Sequence, residues 1–352
     1  MKRVLITGGA GYIGSHAAVA LLEAGFEVLV IDSLCNSSSE SLARVEQITG
    51  KPLVFLKGDI RDRAFLNDVF SNHAIDAVMH FAGLKAVGES VQRPLDYYST
   101  NVYGTTALCQ AMANAGVFTK IFSSSCTVYG QPKQIPVTEN EPTGQPTNPY
   151  GRSKLIAEQV LTDLYASDPR WKIALLRYFN PIGAHQSGLI GEDPNGIPNN
   201  LMPFITQVAV GRLKQLQVFG NDYPTLDGTG VRDYIHVMDL VEGHLAALLA
   251  IQNKPGVNIW NLGTGAGYSV LQIVRAFEAA SGRNVPYEFV PRRAGDIAEI
   301  YADPKKAQAE LGWVAKRDLN VMTQDAWRWQ SMNPGGFVDC NGPNSRPMGA
   351  SQ

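Results

Sequence analysis

Gly8-Gly9-Ala10-Gly11-Tyr12-Ile13-Gly14 decides how this chain is read. The run follows Val4-Leu5-Ile6-Thr7, a short apolar stretch of strand character, and opens a segment of helical spacing over 12–24. Three glycines between a strand and a helix answer three needs. Gly8 allows a tight turn, Gly11 lets the backbone approach a pyrophosphate, and Gly14 lets the helix pack closely on the strand. The helix start then offers free N–H groups and partial positive charge to the phosphates. A glycine turn that serves packing alone is the plainer alternative, and the placement between strand and helix argues against it. Asp32 closes the next expected strand, where a carboxylate accepts from ribose hydroxyls and repels a 2′-phosphate, so NAD is the expected cofactor. Asp59, ending the third strand, is placed to meet an adenine amino group, although turn aspartates are common.

Working outward, short Val-, Ile- and Leu-rich runs alternate with amphipathic segments. Strands are expected at 4–7, 28–31, 53–57, 77–81, 120–123 and 173–177. Helices are expected near 12–24, 62–71, 95–115 and 150–166. The fold class that follows is α/β, a Rossmann-type doubly wound parallel sheet with a smaller C-terminal α/β substrate-binding domain. After Asn180 the chain turns rich in Pro, Gly and Asn, as in GEDPNGIPNN at 191–200, which is pocket-wall or lid material. Further helices are expected at roughly 200–211, 238–251, 269–281 and 304–311. The division is therefore 1–180 for the cofactor and 181–332 for the substrate, with part of 231–262 allowed to return to the first unit. The stretch 333–352 lacks an apolar period and is expected to be disordered.

Composition narrows the partners. The 352 residues are 45% hydrophobic and 18% charged, ordinary for a globular chain with a sizeable core. Thirty basic and 32 acidic residues give a net charge of −2 without a basic stripe, which argues against nucleic acid or a membrane surface. Four cysteines lack CxxC spacing and six histidines are scattered, so neither a disulfide framework nor a metal site is expected. The chain opens on a strand without a signal-peptide pattern or a long apolar span, and a cytoplasmic enzyme is the default expectation.

Tyr150 and Lys154 form YxxxK at the start of an expected helix, on one face. Bringing a tyrosine from pKa about 10 to near 7 takes roughly 4 kcal/mol of stabilisation of its phenolate. A neighbouring ammonium and a cationic nicotinamide in a partly desolvated site supply charge of the right sign. YxxxK alone recurs by chance. Ser123-Ser124-Ser125 ends the preceding strand, however, at the carboxyl edge where open α/β sheets bind ligands. A serine there reaches the same substrate oxygen, unless it only finishes the strand.

With these segments in chain order the sequence resembles the extended short-chain dehydrogenase/reductases, and within them the branch that epimerises UDP-hexoses, from residue 1 to about 335. The resemblance is carried by TGGAGYIGSH at 7–16, GDIRD at 58–62, HFAGLKAVGESV at 80–91, SSSCTVYG at 123–130, PYGRSK at 149–154 and LRYFNPIGAH at 176–185. It extends through GEDPNGIPNNLMPF at 191–204, VFGNDYPTLDGTGVRDYIHVMDL at 218–240 and NLGTG at 261–265. It implies that Tyr150 takes the 4-hydroxyl proton while hydride leaves C4 for a tightly held NAD, and that the 4-keto sugar then rotates and receives hydride on its other face. Ser125 would bond the reacting oxygen, and Lys154 would orient the nicotinamide ribose and tune Tyr150.

The resemblance further implies that NAD meets Gly8, Gly11, Tyr12, Ile13, Gly14, Asp32, Ser33, Leu34, Cys35, Asn36, Ser37, Asp59, Ile60, Phe81, Ala82, Gly83, Lys85, Thr100 and Phe179, besides the catalytic three. The UDP-sugar would meet Lys85, Tyr178, Asn180, Asn200, Leu201, Gln217, Val218, Phe219, Arg232, Arg293, Asp296 and Ile300, with Ser125 and Tyr150. An arginine fork suits phosphate oxygens. Thr100 stands where relatives commonly carry asparagine, and Asn101 follows it. Ile300 stands at a pocket wall where a large residue excludes an N-acetyl group and a small one admits it. UDP-glucose and UDP-galactose are the expected substrates, with weak UDP-GlcNAc activity. A homodimer is expected from the family.

Two rivals are weighed. A sugar-nucleotide 4,6-dehydratase or decarboxylase shares fold and YxxxK, but a dehydratase carries an Asp-Glu pair where this chain has Cys126 and Thr127, neither a useful acid or base at neutral pH. A non-catalytic NAD-sensing protein would be expected to lose Tyr150 or Lys154, and both are present.

Overall fold

The computed structural model describes residues 2–293 and 295–337. Among the described residues there are thirteen strands: β1 (Arg3–Thr7), β2 (Glu27–Asp32), β3 (Val54–Lys57), β4 (Ala77–His80), β5 (Thr119–Ser125), β6 (Lys172–Tyr178), β7 (Asn180–Ile182), β8 (Leu216–Phe219), β9 (Val231–His236), β10 (Gly256–Leu262), β11 (Gly267–Ser269), β12 (Tyr287–Val290) and β13 (Glu299–Ile300). Seven of them make one parallel sheet in the order β10-β6-β5-β4-β1-β2-β3. The sheet is doubly wound, as expected, and the order reverses between β1 and β4, the topological switch point where such sheets bind ligands.

Its faces are apolar on both sides because helices cover both. Val4, Ile6, Val28 and Val30 point to one layer, with the helices Tyr12–Glu23 and Val237–Ile251. Leu5, Leu29, Ile31 and Ile173 point to the other, with Arg63–Asn72, Gly104–Asn114 and Pro149–Ser167. A strand buried on both faces reads as a continuous apolar run, which is why β1, β2, β4 and β6 are visible in the sequence.

The remaining strands form smaller pieces. β9 is flanked by β11, β13 and β7, and β8 pairs with β12 in parallel. After this excursion the chain returns to the large sheet as β10, register-paired with β6 from Gly256↔Lys172 to Leu262↔Tyr178.

Several elements differ from expectation. Glu40–Thr49 and Leu319–Met332 are helices where none was expected. The expected helix at 95–115 is α-helical at Pro94–Tyr97 and Gly104–Asn114 but π-helical over Tyr98–Tyr103. The stretch expected to be disordered from 333 begins fastened down. Asn333 accepts from Arg44 at 2.6 Å, and the Phe337 N–H donates to Asp193 at 2.7 Å. Residues 338–352, the rest of that stretch, lie outside the described residues.

Candidate active site

The glycine loop is tight where side chains are excluded and bare where a ligand would approach. A Cβ on Gly8 (φ +71°) would lie 2.6 Å from the Ala82 nitrogen, and one on Gly14 only 2.2 Å from the Gly8 oxygen. Gly11 begins the helix Tyr12–Glu23 as an extended N-cap without a side-chain cap, so no capping side chain competes for the first-turn N–H groups. Across the switch point the segment after β4 comes up against the loop, with the Phe81 and Ala82 N–H groups both donating to the Thr7 carbonyl at 3.0 Å. Phe81 and Ala82 therefore lie against Gly8, while Gly83 faces Asn101 and Lys154.

Asp32 is buried and anchors the next loop. Its carboxylate accepts from Ala10 N at 3.0 Å, Leu34 N at 2.9 Å and Ser37 Oγ at 2.8 Å. These bonds hold Leu34 at φ 59°, a left-handed conformation unusual for a leucine, and give the Ser33–Ser37 turn one shape. Asp59 lies in a bidentate pair with Arg61, 2.6 Å at the closest, and that guanidinium holds its carboxyl below the usual range. Ile60 is buried against Gly104.

The catalytic candidates meet at the carboxyl edge of β5. Asn148 caps the helix Pro149–Ser167 by accepting from Gly151 N at 2.9 Å, which sets Tyr150 and Lys154 in its first turns, both buried. Lys154 Nζ donates to the Ser123 carbonyl at 2.8 Å and lies 5.0 Å over the Phe122 ring. Burial pulls its pKa down to about 8. Ser125 Oγ accepts from Thr127 N at 3.2 Å and Thr127 Oγ1 at 3.0 Å, leaving its own proton to donate outward. Tyr150 is pushed well above its ordinary pKa by burial and then by Tyr178, with the Ser125 hydrogen bond acting the other way. In the cofactor-free protein the phenol is thus protonated, and Lys154 alone does not make it a base. Burial likewise pushes the neighbouring Cys126 thiol up to about 12. Beneath the site Glu158 and Arg177 form a buried pair at 2.6 Å whose carboxylate also accepts from Ser124, one residue before Ser125.

At the place in question between Thr100 and Asn101, the contacts belong to Asn101. Its side chain accepts from Leu84 N at 2.8 Å and donates to Leu84 O at 3.0 Å and Ser153 Oγ at 2.9 Å, tying the Gly83 segment to the helix of Tyr150. The π-helical stretch Tyr98–Tyr103 changes the helical register here, and Asn101 is buried while Thr100 is half-buried. No sequence pattern marks such a shift.

The substrate candidates form the opposite wall. Tyr178, closing β6, accepts from Ser123 Oγ at 3.1 Å. Arg232 of β9 donates to the Val231 carbonyl at 2.8 Å, and Arg293 pairs with Asp296 at 3.0 Å and stacks 4.6 Å over Phe219. The Tyr223 hydroxyl is buried without a protein partner; burial and then Asp296 raise its pKa, while Arg292, stacked 4.0 Å over its ring, and then Arg232 and Arg293 act the other way. Tyr223 has no distinctive sequence context and went unremarked. Ile300 is buried opposite Arg232 in the β13–β9 pair, in one apolar cluster with Cys126 and Phe179, the neighbours of Ser125 and Asn180. In β8, Gln217 and Phe219 alternate with Val218, whose side chain is in the core beside Ile205 and Phe277, leaving only its backbone to a ligand. Asn180 starts β7 on the surface, and Asn200 and Leu201 open the helix Leu201–Ala209. Lys85 does not point freely into a pocket. It is ion-paired with Glu192 at 2.7 Å.

Among the described residues no group of three or more His, Cys, Asp or Glu side chains is placed to hold a metal. The buried histidines serve packing, as His80 does between Thr7 and Thr105 at 2.6 and 2.9 Å.

Fold and geometry together define a class, the dinucleotide-dependent α/β enzymes that use a Tyr-Lys-Ser cluster at a carbinol carbon. Comparison with known proteins narrows it. A family model described as GDP-mannose 4,6 dehydratase matches residues 5–326. The UDP-glucose 4-epimerase of Neisseria meningitidis serogroup B is 59% identical over 96% of this chain and 100% of its own, and that of Bacillus subtilis is 61% identical over 95% and 98%. The crystal structure of UDP-glucose 4-epimerase from Bifidobacterium longum in complex with NAD+ and UDP superposes with a TM-score of 0.94 at 55% identity, over 96% of this chain and 100% of that one. The chain belongs to the extended short-chain dehydrogenase/reductase family, in its UDP-glucose 4-epimerase branch.

Proposed function

We propose that this chain interconverts UDP-glucose and UDP-galactose by oxidation at C4, rotation of the 4-keto sugar and reduction on its other face. One observation carries the reading. Tyr150, Ser125 and Lys154 converge at the carboxyl edge of β5, while the two positions after Ser125 hold Cys126 and Thr127 instead of an acid pair. A thiol pushed up to about 12 and a hydroxyl committed to Ser125 cannot eliminate water, so a dehydratase is disfavoured. Retention of the whole Tyr-Lys-Ser cluster likewise disfavours a non-catalytic sensor.

NAD fits against the loop that Gly8 and Gly14 let pack tightly and over the uncapped helix start at Gly11, with Asp32 toward the ribose and the Ser33–Ser37 turn, Asp59 and Ile60 around the adenosine. Bound NAD supplies the hydride acceptor and a positive charge that favours the phenolate. Tyr150 then takes the proton from the C4 hydroxyl and returns it to the same oxygen after the sugar has turned. Ser125 donates to that oxygen in both half-reactions, and Lys154 holds the positive charge that keeps Tyr150 ionised. Arg232 and Arg293 grip the diphosphate, so that the sugar turns while its anchor stays.

The same reading places the enzyme in the cytoplasm, in keeping with three free cysteines and the lack, among the described residues, of a helix long and apolar enough to cross a membrane. It also pairs two copies through the helices at 94–114 and 149–167, where Leu95 and Tyr103 leave apolar surface 80% and 46% exposed, with Val91 of the preceding helix 63% exposed beside them in the chain.

The test is to purify the protein, assay it for bound NAD and add UDP-galactose without cofactor. UDP-glucose is the expected product, and release of a 4-keto-6-deoxy sugar overturns the reading. Gel filtration of the same sample reads the oligomeric state.

A further inference from the structure

Glu192 belongs to none of the motif roles assigned above, yet its side chain is only 8% exposed. One oxygen, Oε1, accepts from Lys85 Nζ at 2.7 Å and from Asn200 Nδ2 at 2.6 Å. Asn200 stands at the N-cap of the helix Leu201–Ala209 but makes no capping bond, because its amide is turned to Glu192. The backbone around Glu192 is pinned on both sides. A Cβ on Gly191 would meet Trp329 at 2.3 Å, Asp193 accepts from Phe337 N at 2.7 Å, and Asn195 N donates to Asn36 Oδ1 at 3.1 Å. The carboxylate is therefore a fixed point between two walls.

We propose that Glu192 is a positioning residue that holds Lys85 of the cofactor wall in register with Asn200 of the sugar-nucleotide wall, so that the UDP-sugar meets both already set. The proposal rests on the function given above. Lys85 is 47% exposed, and without its carboxylate a four-carbon chain spreads over many rotamers. Ordering it would then fall on substrate binding. The effect belongs to capture of the substrate, because Glu192 hydrogen-bonds neither Tyr150, Ser125 nor Lys154.

Steady-state kinetics of the holoenzyme with UDP-galactose test this. Glu192→Ala is expected to raise KM about tenfold, with kcat within about twofold and bound NAD unchanged. Glu192→Gln keeps an acceptor for Asn200 but loses the charge for Lys85, and its KM rises only about threefold. Glu192→Ala added to Lys85→Met costs little beyond Lys85→Met alone, because the carboxylate acts mainly through that ammonium. An unchanged KM in Glu192→Ala, a fall in kcat as large as the rise in KM, or additive losses in the double variant overturn the proposal. Should Glu192→Ala fold poorly, Glu192→Gln with and without Lys85→Met gives the same cycle. A wild-type enzyme inert on UDP-galactose sinks the functional reading instead, which is a separate outcome.

Discussion

The two walls of the site are built by different means. The proposed cofactor wall is backbone, glycines and strand ends of one seven-stranded parallel sheet, where Gly8 and Gly14 let the loop pack on backbone and Gly11 leaves the helix start uncapped. The sugar-nucleotide wall is made of short strands and loops held by side chains reaching far along the sequence. Asp233 shows the second method. Its buried carboxylate accepts from Thr264 N at 2.9 Å, Thr264 Oγ1 at 2.7 Å, Gly265 N at 3.1 Å and Ala302 N at 3.1 Å, joining β9 to the turn after β10 and to the residue beyond β13. A wall of backbone is general and presents phosphate donors to any dinucleotide. A wall of converging side chains can be specific, and each of its clamps is a point of failure.

Single substitutions should separate the two. Gly14→Ala puts a methyl 2.2 Å from the Gly8 oxygen, where rigid backbone must give way. At least a thousandfold loss in NAD affinity is expected, about 4 kcal/mol, with UDP binding retained by calorimetry. Asp233→Ala leaves its donors buried without an acceptor and is expected to cost about 3 kcal/mol of stability in urea unfolding. Here UDP binding should weaken while NAD remains bound. Equal loss of both ligands in either variant would break the contrast between the walls.

Lys154 is the cofactor wall's own weakness. Its pKa in the folded, cofactor-free protein is about 8, against an ordinary 10.5, because burial disfavours the charge. The unfolded chain therefore binds more protons than the folded one between those values, and stability rises with pH through that window. Below about pH 8 the whole penalty is present. Less the hydrogen bond to Ser123, Lys154→Met is expected to stabilise the cofactor-free protein by about 2 kcal/mol at pH 7. The gain should shrink toward zero as pH approaches 10.5, while activity is lost. Denaturation at a series of pH values checks the sign, and a pH-independent difference would mean that packing alone is responsible.

The same contrast explains what was legible in the sequence. β1, β2, β4 and β6 are mostly apolar runs buried on both faces, and the glycine loop lies between neighbours in the chain, so spacing alone locates them. The helix Glu40–Thr49 escaped because it buries only Ser41, Leu42 and Val45, too thin a stripe to read. Between Thr100 and Asn101 the sequence could not choose, because a π-helical turn decides which one faces Leu84. The segment Asn333–Phe337 read as loose because its bonds run to Arg44, Gly188 and Asp193, partners that leave no periodic trace. Arg232 and Arg293 look like surface charges until the fold ties Arg232 to the Val231 carbonyl and stacks Arg293 over Phe219.

The smallest expected effect tests the specificity of the side-chain wall at one residue. Ile300 is β-branched, buried, and packed with Cys126 and Phe179, so it is stiff, and its expected place is on the wall beside the reacting end of the sugar. A tyrosine there extends past the isoleucine volume, and the room it takes is the room an N-acetyl group at C2 would need. Ile300→Tyr is expected to lower the rate on UDP-N-acetylgalactosamine relative to UDP-galactose about tenfold, roughly 1.4 kcal/mol of discrimination between transition states. Stability should fall by about 1 kcal/mol, because overpacking strains neighbours as well as substrate. The ratio of kcat/KM values decides it, since a general loss of packing lowers both rates alike. A ratio unchanged from wild type would remove Ile300 from the specificity wall and leave it as core.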